Sequence, residues 1–183
     1  MLIVLDGSKA LRKAVQKTFG EGCAVQRCQV HKRRNVKEHL AKEYQGSADQ
    51  RIRTAYAMRE YEPAKAGLLK TVDWLEGINP SAAASLREGL EETLTLHRLG
   101  LPEPLRKSLE TANLMESAFS VVEDVTGRVK RWRGGDMRLR WTAAGLLMAE
   151  KQFRRVRGYK LMPRLLAALE AKTDAVAQPS QAA

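Results

Sequence analysis

"MLIVLDGSKALRKAVQKTFGEGCAVQRCQV", residues 1–30, decides the fold class. Leu2 to Leu5 form a short apolar, partly β-branched run that closes on Asp6-Gly7, the pattern of a buried strand followed by a turn. Ser8 is then an N-cap, Leu11, Val15 and Phe19 recur at helical spacing, and Gly20 is a C-cap. "CAVQRCQV", residues 23–30, reads as a second strand. Strand, helix and strand in so short a stretch predict a βαβ unit with parallel pairing.

Outward from this unit the character changes. Residues 36–104 carry helical patterning with no strand signal, and Gly46, Pro63, Asn79-Pro80 and Gly100–Pro104 divide them into at least three helices. Residues 105–126 place Leu109, Ala112, Met115, Phe119, Val122 and Val125 on one helical stripe. "GRVKRWRGGDMRLRW", residues 127–141, reads as a basic loop, and "TAAGLLMAEKQFRRV", residues 142–156, as an amphipathic helix. A short helix follows Gly158. The organisation expected is a strand–helix–strand segment at 1–36, an all-helical block at 37–104, a further helical part at 105–170 and a disordered tail at 171–183. Two strands cannot make an α/β core alone, so further strands are expected upstream of Met1.

Hydrophobic residues make up 44% of the 183, which excludes wholesale disorder. No apolar run approaches the ~18 residues of a membrane span, and the opening lacks the basic leader of a signal peptide. Two cysteines are too few for a disulfide framework, so the chain is expected in the cytoplasm. The net charge of +11 is unevenly placed. Residues 27–37 hold five Lys/Arg and no acid, and residues 128–160 hold eleven against Asp136 and Glu150. Such clusters are the footprint of a polyanion partner, and nothing points to a small-molecule substrate.

Asp6 ends a strand, where α/β folds place ligands and metals, although an Asp-Gly turn explains it equally. Glu116 in "TANLMES" is either the N3 partner of an Asn113 cap or a carboxylate on the buried side of a helix beside Met115 and Phe119. Cys28 and His31 have half the ligands of a zinc site, but an extended strand puts them on opposite faces. Arg27, Lys32, Arg33 and Arg34 at a strand-to-helix junction suit phosphate contact. So do Lys130, Arg131, Arg133, Arg138, Arg140, Arg154 and Arg155, with Trp132 and Trp141 interleaved as stacking platforms or core anchors. Trp74 reads as core.

Together the strand ending in Asp6-Gly7, "QRCQVHKRRNV", the helical block, "TANLMES" and the run Arg140-Trp141…Phe153-Arg154-Arg155…Gly158-Tyr159 resemble the Mutator-type transposases of bacterial insertion sequences, over residues 1 to about 170. These are DDE transposases. The resemblance implies a fold that is α/β by ancestry and predominantly α-helical, a ribonuclease-H-like sheet interrupted by an all-α insertion. It implies that Asp6 is the second catalytic Asp and Glu116 the catalytic Glu, both ligands of Mg²⁺ or Mn²⁺, and that Cys28 and His31 are the family signature between them. "TAN" stands where the family has two threonines. DNA is the implied partner, with homo-oligomers expected. The first catalytic Asp has no counterpart here, so the chain is expected to be a C-terminal portion, inactive alone, or else a non-catalytic DNA-binding fragment.

Overall fold

Ser8 opens the first helix by accepting the Leu11 N–H on its hydroxyl at 3.3 Å in the computed structural model, which describes residues 1–20 and 22–177. This helix, α1 (Lys9–Phe19), ends at Gly20, whose φ of 75° suits glycine. It joins β1 (Leu2–Leu5) to β2 (Ala24–Arg27), which pair in parallel with Leu2 opposite Ala24 and Leu5 opposite Arg27. The βαβ unit is therefore present. Of the stripe on α1 only Val15 is buried, while Leu11 and Phe19 are exposed.

The second strand is shorter than residues 23–30. Cys28 turns the chain into α2 (Gln29–Glu38) because the next residue finds partners off the ladder. The Gln29 backbone N–H donates to the Glu110 carbonyl at 2.9 Å, and its buried side-chain amide donates to the Thr93 carbonyl at 2.9 Å.

Six helices follow: α3 (Lys42–Ala57), α4 (Tyr61–Glu76), α5 (Pro80–Arg87), α6 (Leu90–Thr93), α7 (Thr95–Arg98) and α8 (Glu103–Leu109). Ile52, Leu68, Val72, Leu75, Leu86 and Leu94 meet in their common core. Trp74 packs on its margin beneath the Arg51 guanidinium, 4.7 Å from the ring centroid. Asn79-Pro80 does start a helix: Asn79 Oδ1 accepts the Ala82 N–H at 3.1 Å. Gly46 and Pro63 break nothing. Gly46 lies inside α3, and Pro63 occupies the first turn of α4, where its missing N–H has no intrahelical acceptor.

Two compact units result, Met1–Thr111 with Arg157–Ala183, and Ala112–Val156. The strand–helix–strand segment and the helical block thus share one unit, tied by buried polar groups. Gln26 Nε2 donates to the Thr93 carbonyl at 2.9 Å, and Thr95 Oγ1 donates to the Val25 carbonyl at 2.6 Å. A 3₁₀ turn at Tyr159–Leu161 leads into α11 (Met162–Ala177), so helix continues past residue 171, where a tail was expected; residues 178–183 lie outside the described residues.

The second unit is a hairpin of α9 (Asn113–Thr126) and α10 (Gly135–Glu150). Ala118 and Val122 face Gly145 and Ala149, all buried. A Cβ on Gly145 would stand 2.9 Å from the Val122 Cα, so glycine sets the approach of the two helices. The helix expected at 142–156 begins at Gly135 and ends at Glu150, taking in half of the basic stretch read as loop. Residues 105–126 are two helices rather than one stripe, and Met115, Phe119 and Trp141 are exposed. Among the described residues no helix is long and apolar enough to cross a membrane.

Candidate functional site

The C-terminal edge of the two-stranded sheet gathers the chemistry. Asp6 follows Leu5 directly and is exposed. Its Oδ1 accepts the Ser8 N–H at 2.9 Å, so the carboxylate both closes the turn into α1 and keeps oxygen lone pairs toward solvent. Beside it opens a cleft of about 410 Å³ whose charged lining is Lys9, Arg12, Lys13 and Arg27 with Glu88 and Glu92. Both acids are taken: Glu88 pairs with Lys9 at 3.2 Å and Arg27 at 3.3 Å, and Glu92 with Arg12. Its cations hold the Glu88 carboxyl below the usual carboxylate range, against the burial that would raise it.

Of the basic run beside β2, Arg27 and Lys32 are buried and Arg33 is half-buried. Arg27 is 7% exposed and donates to the Glu88 carbonyl, the Glu88 carboxylate and the Gly7 carbonyl. Gly7 and Gly89, with φ of 112° and 63°, leave room for its guanidinium; a Cβ on Gly7 would lie 2.7 Å from Arg27 Nε. Lys32 is 1% exposed, and its Nζ donates to the Ser85 and Glu88 carbonyls at 2.5 Å each, closing the C-terminal end of α5. Arg33 forks onto Asp49 at 2.9 and 2.8 Å. Arg34 alone of the four is exposed.

Burial, with Arg27 nearby, lowers the Lys32 pKa from 10.5 to about 8. The folded value lies below the unfolded one, so between them the unfolded chain binds the extra proton and stability rises with pH. The neutral amine still has two N–H bonds for its two carbonyls. Urea melts are expected to show a gain of roughly 2 kcal/mol from pH 8 to pH 10 that Lys32→Met abolishes. An equal slope in the variant would refute this. Above pH 10 the buried Tyr56, whose pKa is raised by desolvation, pulls the other way.

Cys28 is fully buried at the N-cap of α2, and its backbone N–H donates to the Leu5 carbonyl at 2.7 Å. His31 is half-buried on the first turn of α2 rather than across a strand. No group of three or more His, Cys, Asp or Glu side chains disposed to hold a metal occurs among the described residues. Glu116 sits in the first turn of α9 in the second unit, exposed rather than on a buried side. The N-cap there is Ala112, without a side-chain cap, so the Asn113 capping box does not form. Lys130, Arg131, Arg133, Arg138, Arg140, Arg154 and Arg155 are all exposed.

For a hard divalent cation Asp6 fits as one oxygen ligand, and Glu88 and Glu92 are already matched to cations. Among the described residues the first unit alone supplies one available carboxylate at the strand edge. Sequence reasoning missed Lys9, Arg12 and Lys13. Their i, i+3, i+4 spacing after Asp6-Gly7-Ser8 was the available signal, whereas Glu88 and Glu92 come from helices with no local mark.

Residues 1–131 match the family model described as Transposase, Mutator family. The chain belongs to this family. The Mutator-family match covers the βαβ unit, the helical block and α9, and stops short of the Arg140-Trp141 and Gly158-Tyr159 run. Among curated proteins the chain is similar to the transposase for insertion sequence element ISRM5 of Rhizobium meliloti (strain 1021), 32% identical over 115 residues, which is 63% of this chain and 28% of that protein. It is also similar to the transposase for insertion sequence element IST2 of Acidithiobacillus ferrooxidans, 27% identical over 130 residues, 71% of this chain and 43% of that protein. The chain therefore spans less than half the length of these curated relatives. No solved structure matches it significantly.

Proposed function

We propose that this Mutator-family chain is part of a DDE transposase with a ribonuclease-H-like catalytic fold, in which Asp6 and Glu116 are the second catalytic Asp and the catalytic Glu. The observation that supports this most is a pair of consecutive backbone hydrogen bonds at the start of α2. The Cys28 N–H donates to the Leu5 carbonyl at 2.7 Å, and the Gln29 N–H to the Glu110 carbonyl at 2.9 Å. One turn of chain thereby ties the strand end that precedes Asp6 to Glu110, near the end of the first unit's main segment. The signature pair Cys28 and His31 brackets that turn, which gives it a structural task.

In this reading Asp6 and Glu116 hold Mg²⁺ or Mn²⁺, which supplies activation of a water or 3′-hydroxyl and charge stabilisation at a phosphodiester. Lys130, Arg131, Arg133, Arg138, Arg140, Arg154 and Arg155 meet transposon-end and target DNA, with Arg34. In this reading β1, an edge strand of the two-stranded sheet, is where another copy would pair, since the outward carbonyls of β2 at Val25 and Arg27 accept from Thr95 Oγ1 and Gln26 Nε2. Calorimetry with Mn²⁺ on the full chain tests the carboxylates. Asp6→Ala and Glu116→Ala are each expected to weaken binding by roughly tenfold or more. Binding that either variant leaves unchanged would overturn their shared site. A second reading, a non-catalytic DNA-binding fragment, is favoured by the exposure of the cations in the second unit; DNA binding that persists without any Mn²⁺ binding would select it.

A further inference from the structure

Four cations from three helices line one pocket of about 330 Å³: Arg33 from α2, Arg53 from α3, and Arg106 and Lys107 from α8. Glu103 and Glu110 are the acids of the same lining. Arg33 is committed to Asp49, and Lys107 to Glu103 at 2.5 Å in an exposed i, i+4 pair, which a stronger anion can replace. Arg53 is exposed at the pocket wall. Arg106 is the anchor. It is 3% exposed, its Nη1 donates to the Met58 and Arg59 carbonyls at 3.1 and 2.9 Å, and its buried Nε has no hydrogen-bond partner among the described residues. A guanidinium fixed through one nitrogen while another lacks an acceptor is a prepared donor for an oxyanion. Burial pushes the Glu110 carboxyl above its usual range.

We propose that this pocket seats a DNA-backbone phosphate, with Arg53, Lys107 and the Nε of Arg106 as its donors. The inference rests on the transposase reading and extends it, because it brings DNA onto the α3–α8 face of the helical block as well as onto the second unit. Gln29, two residues beyond the end of β2, lines the same pocket. Free phosphate has the same chemistry, and the experiment separates the two.

Fluorescence anisotropy of a labelled short duplex is measured across a salt series with the intact chain. Its comparators are Arg53→Gln/Lys107→Gln and, for the other basic surface, Lys130→Gln/Arg131→Gln. Both residues of the first pair are exposed or half-paired at the surface, and far-UV circular dichroism checks that the fold is kept. The Arg53/Lys107 double variant is expected to bind roughly tenfold more weakly at low salt, with the slope of log affinity on log salt reduced by about two. Unchanged affinity and slope in that variant, with Lys130→Gln/Arg131→Gln weakened, would overturn the pocket and leave the DNA reading standing. Absence of duplex binding by the intact chain would remove both. Thermal protection by inorganic phosphate that the Arg53/Lys107 variant loses, without any change in duplex affinity, would assign a free-anion site and overturn the proposal.

Discussion

Arg27→Ala is expected to lower the unfolding free energy by about 3 kcal/mol or more, as measured by chemical denaturation at neutral pH. The guanidinium joins β2 to the loop after β1 and to the α5–α6 corner, through the Gly7 carbonyl and both the carbonyl and carboxylate of Glu88. Alanine leaves the Gly7 and Glu88 carbonyls without this donor and opens space between two glycines whose backbone is shaped around the missing group. Arg27→Lys is expected to recover less than half of the loss. An ammonium is a point donor and cannot span the same three acceptors in one plane. A change below about 1 kcal/mol for Arg27→Ala would mean that the residue is a surface cation after all, as its place in a basic run suggested.

The second large effect belongs to the hairpin. Gly145→Val is expected to abolish amide protection across α9 and α10 while leaving the first unit's protection intact, read by hydrogen exchange. The added Cβ meets Val122 backbone at 2.9 Å, and backbone cannot swing aside as a long side chain would. Overpacking of this kind costs about 1–3 kcal/mol even in a full core. Here the buried residues of the hairpin are Ala118, Val122, Gly145 and Ala149, too small a set to absorb it. Gly145→Ala gains helix propensity of about 1 kcal/mol and is expected to lose less protection than valine. Retained protection in Gly145→Val would show that the helices do not depend on this contact.

The first thirty residues were legible because every local signal agreed. Branched apolar residues, an Asp-Gly turn, a Ser8 cap and a Gly20 stop all point to strand, helix and parallel strand. Family membership was legible from motifs in combination, from Asp6 through Cys28 and His31 to Glu116, and residues 1–131 bear it out. Burial of the basic run was not legible. Arg27, Lys32 and Arg33 read as phosphate contacts, and what engages them in the fold is Ser85, Glu88 and Asp49, partners that no neighbouring residue reveals. The start of α10 was hidden for the opposite reason: Gly134-Gly135 and its arginines look like loop, and the helix is set by a contact at Gly145 with α9. Asp6 and Glu116 are proposed as the carboxylates on resemblance. The cleft cations Lys9, Arg12 and Lys13 needed the fold to bring Glu88 and Glu92 opposite them.

The buried polar ties between β2 and the helical block also carry a timetable. Thr95 Oγ1 reaches the Val25 carbonyl across 70 positions, and Gln26 reaches the Thr93 carbonyl across 67. A ribosome adding about 5–20 residues per second needs on the order of 3–14 s to cover that separation. Until Thr95 has emerged, the strand segment has been made without the groups that satisfy Val25, Gln26 and Gln29, and its parallel edge stands open. The helices from Lys42 to Arg87 draw most of their core from one another and can associate in that interval. The two strands are therefore made before these helices and completed after them, and co-translational chaperone contact is expected at residues 1–30 rather than on the helices that follow.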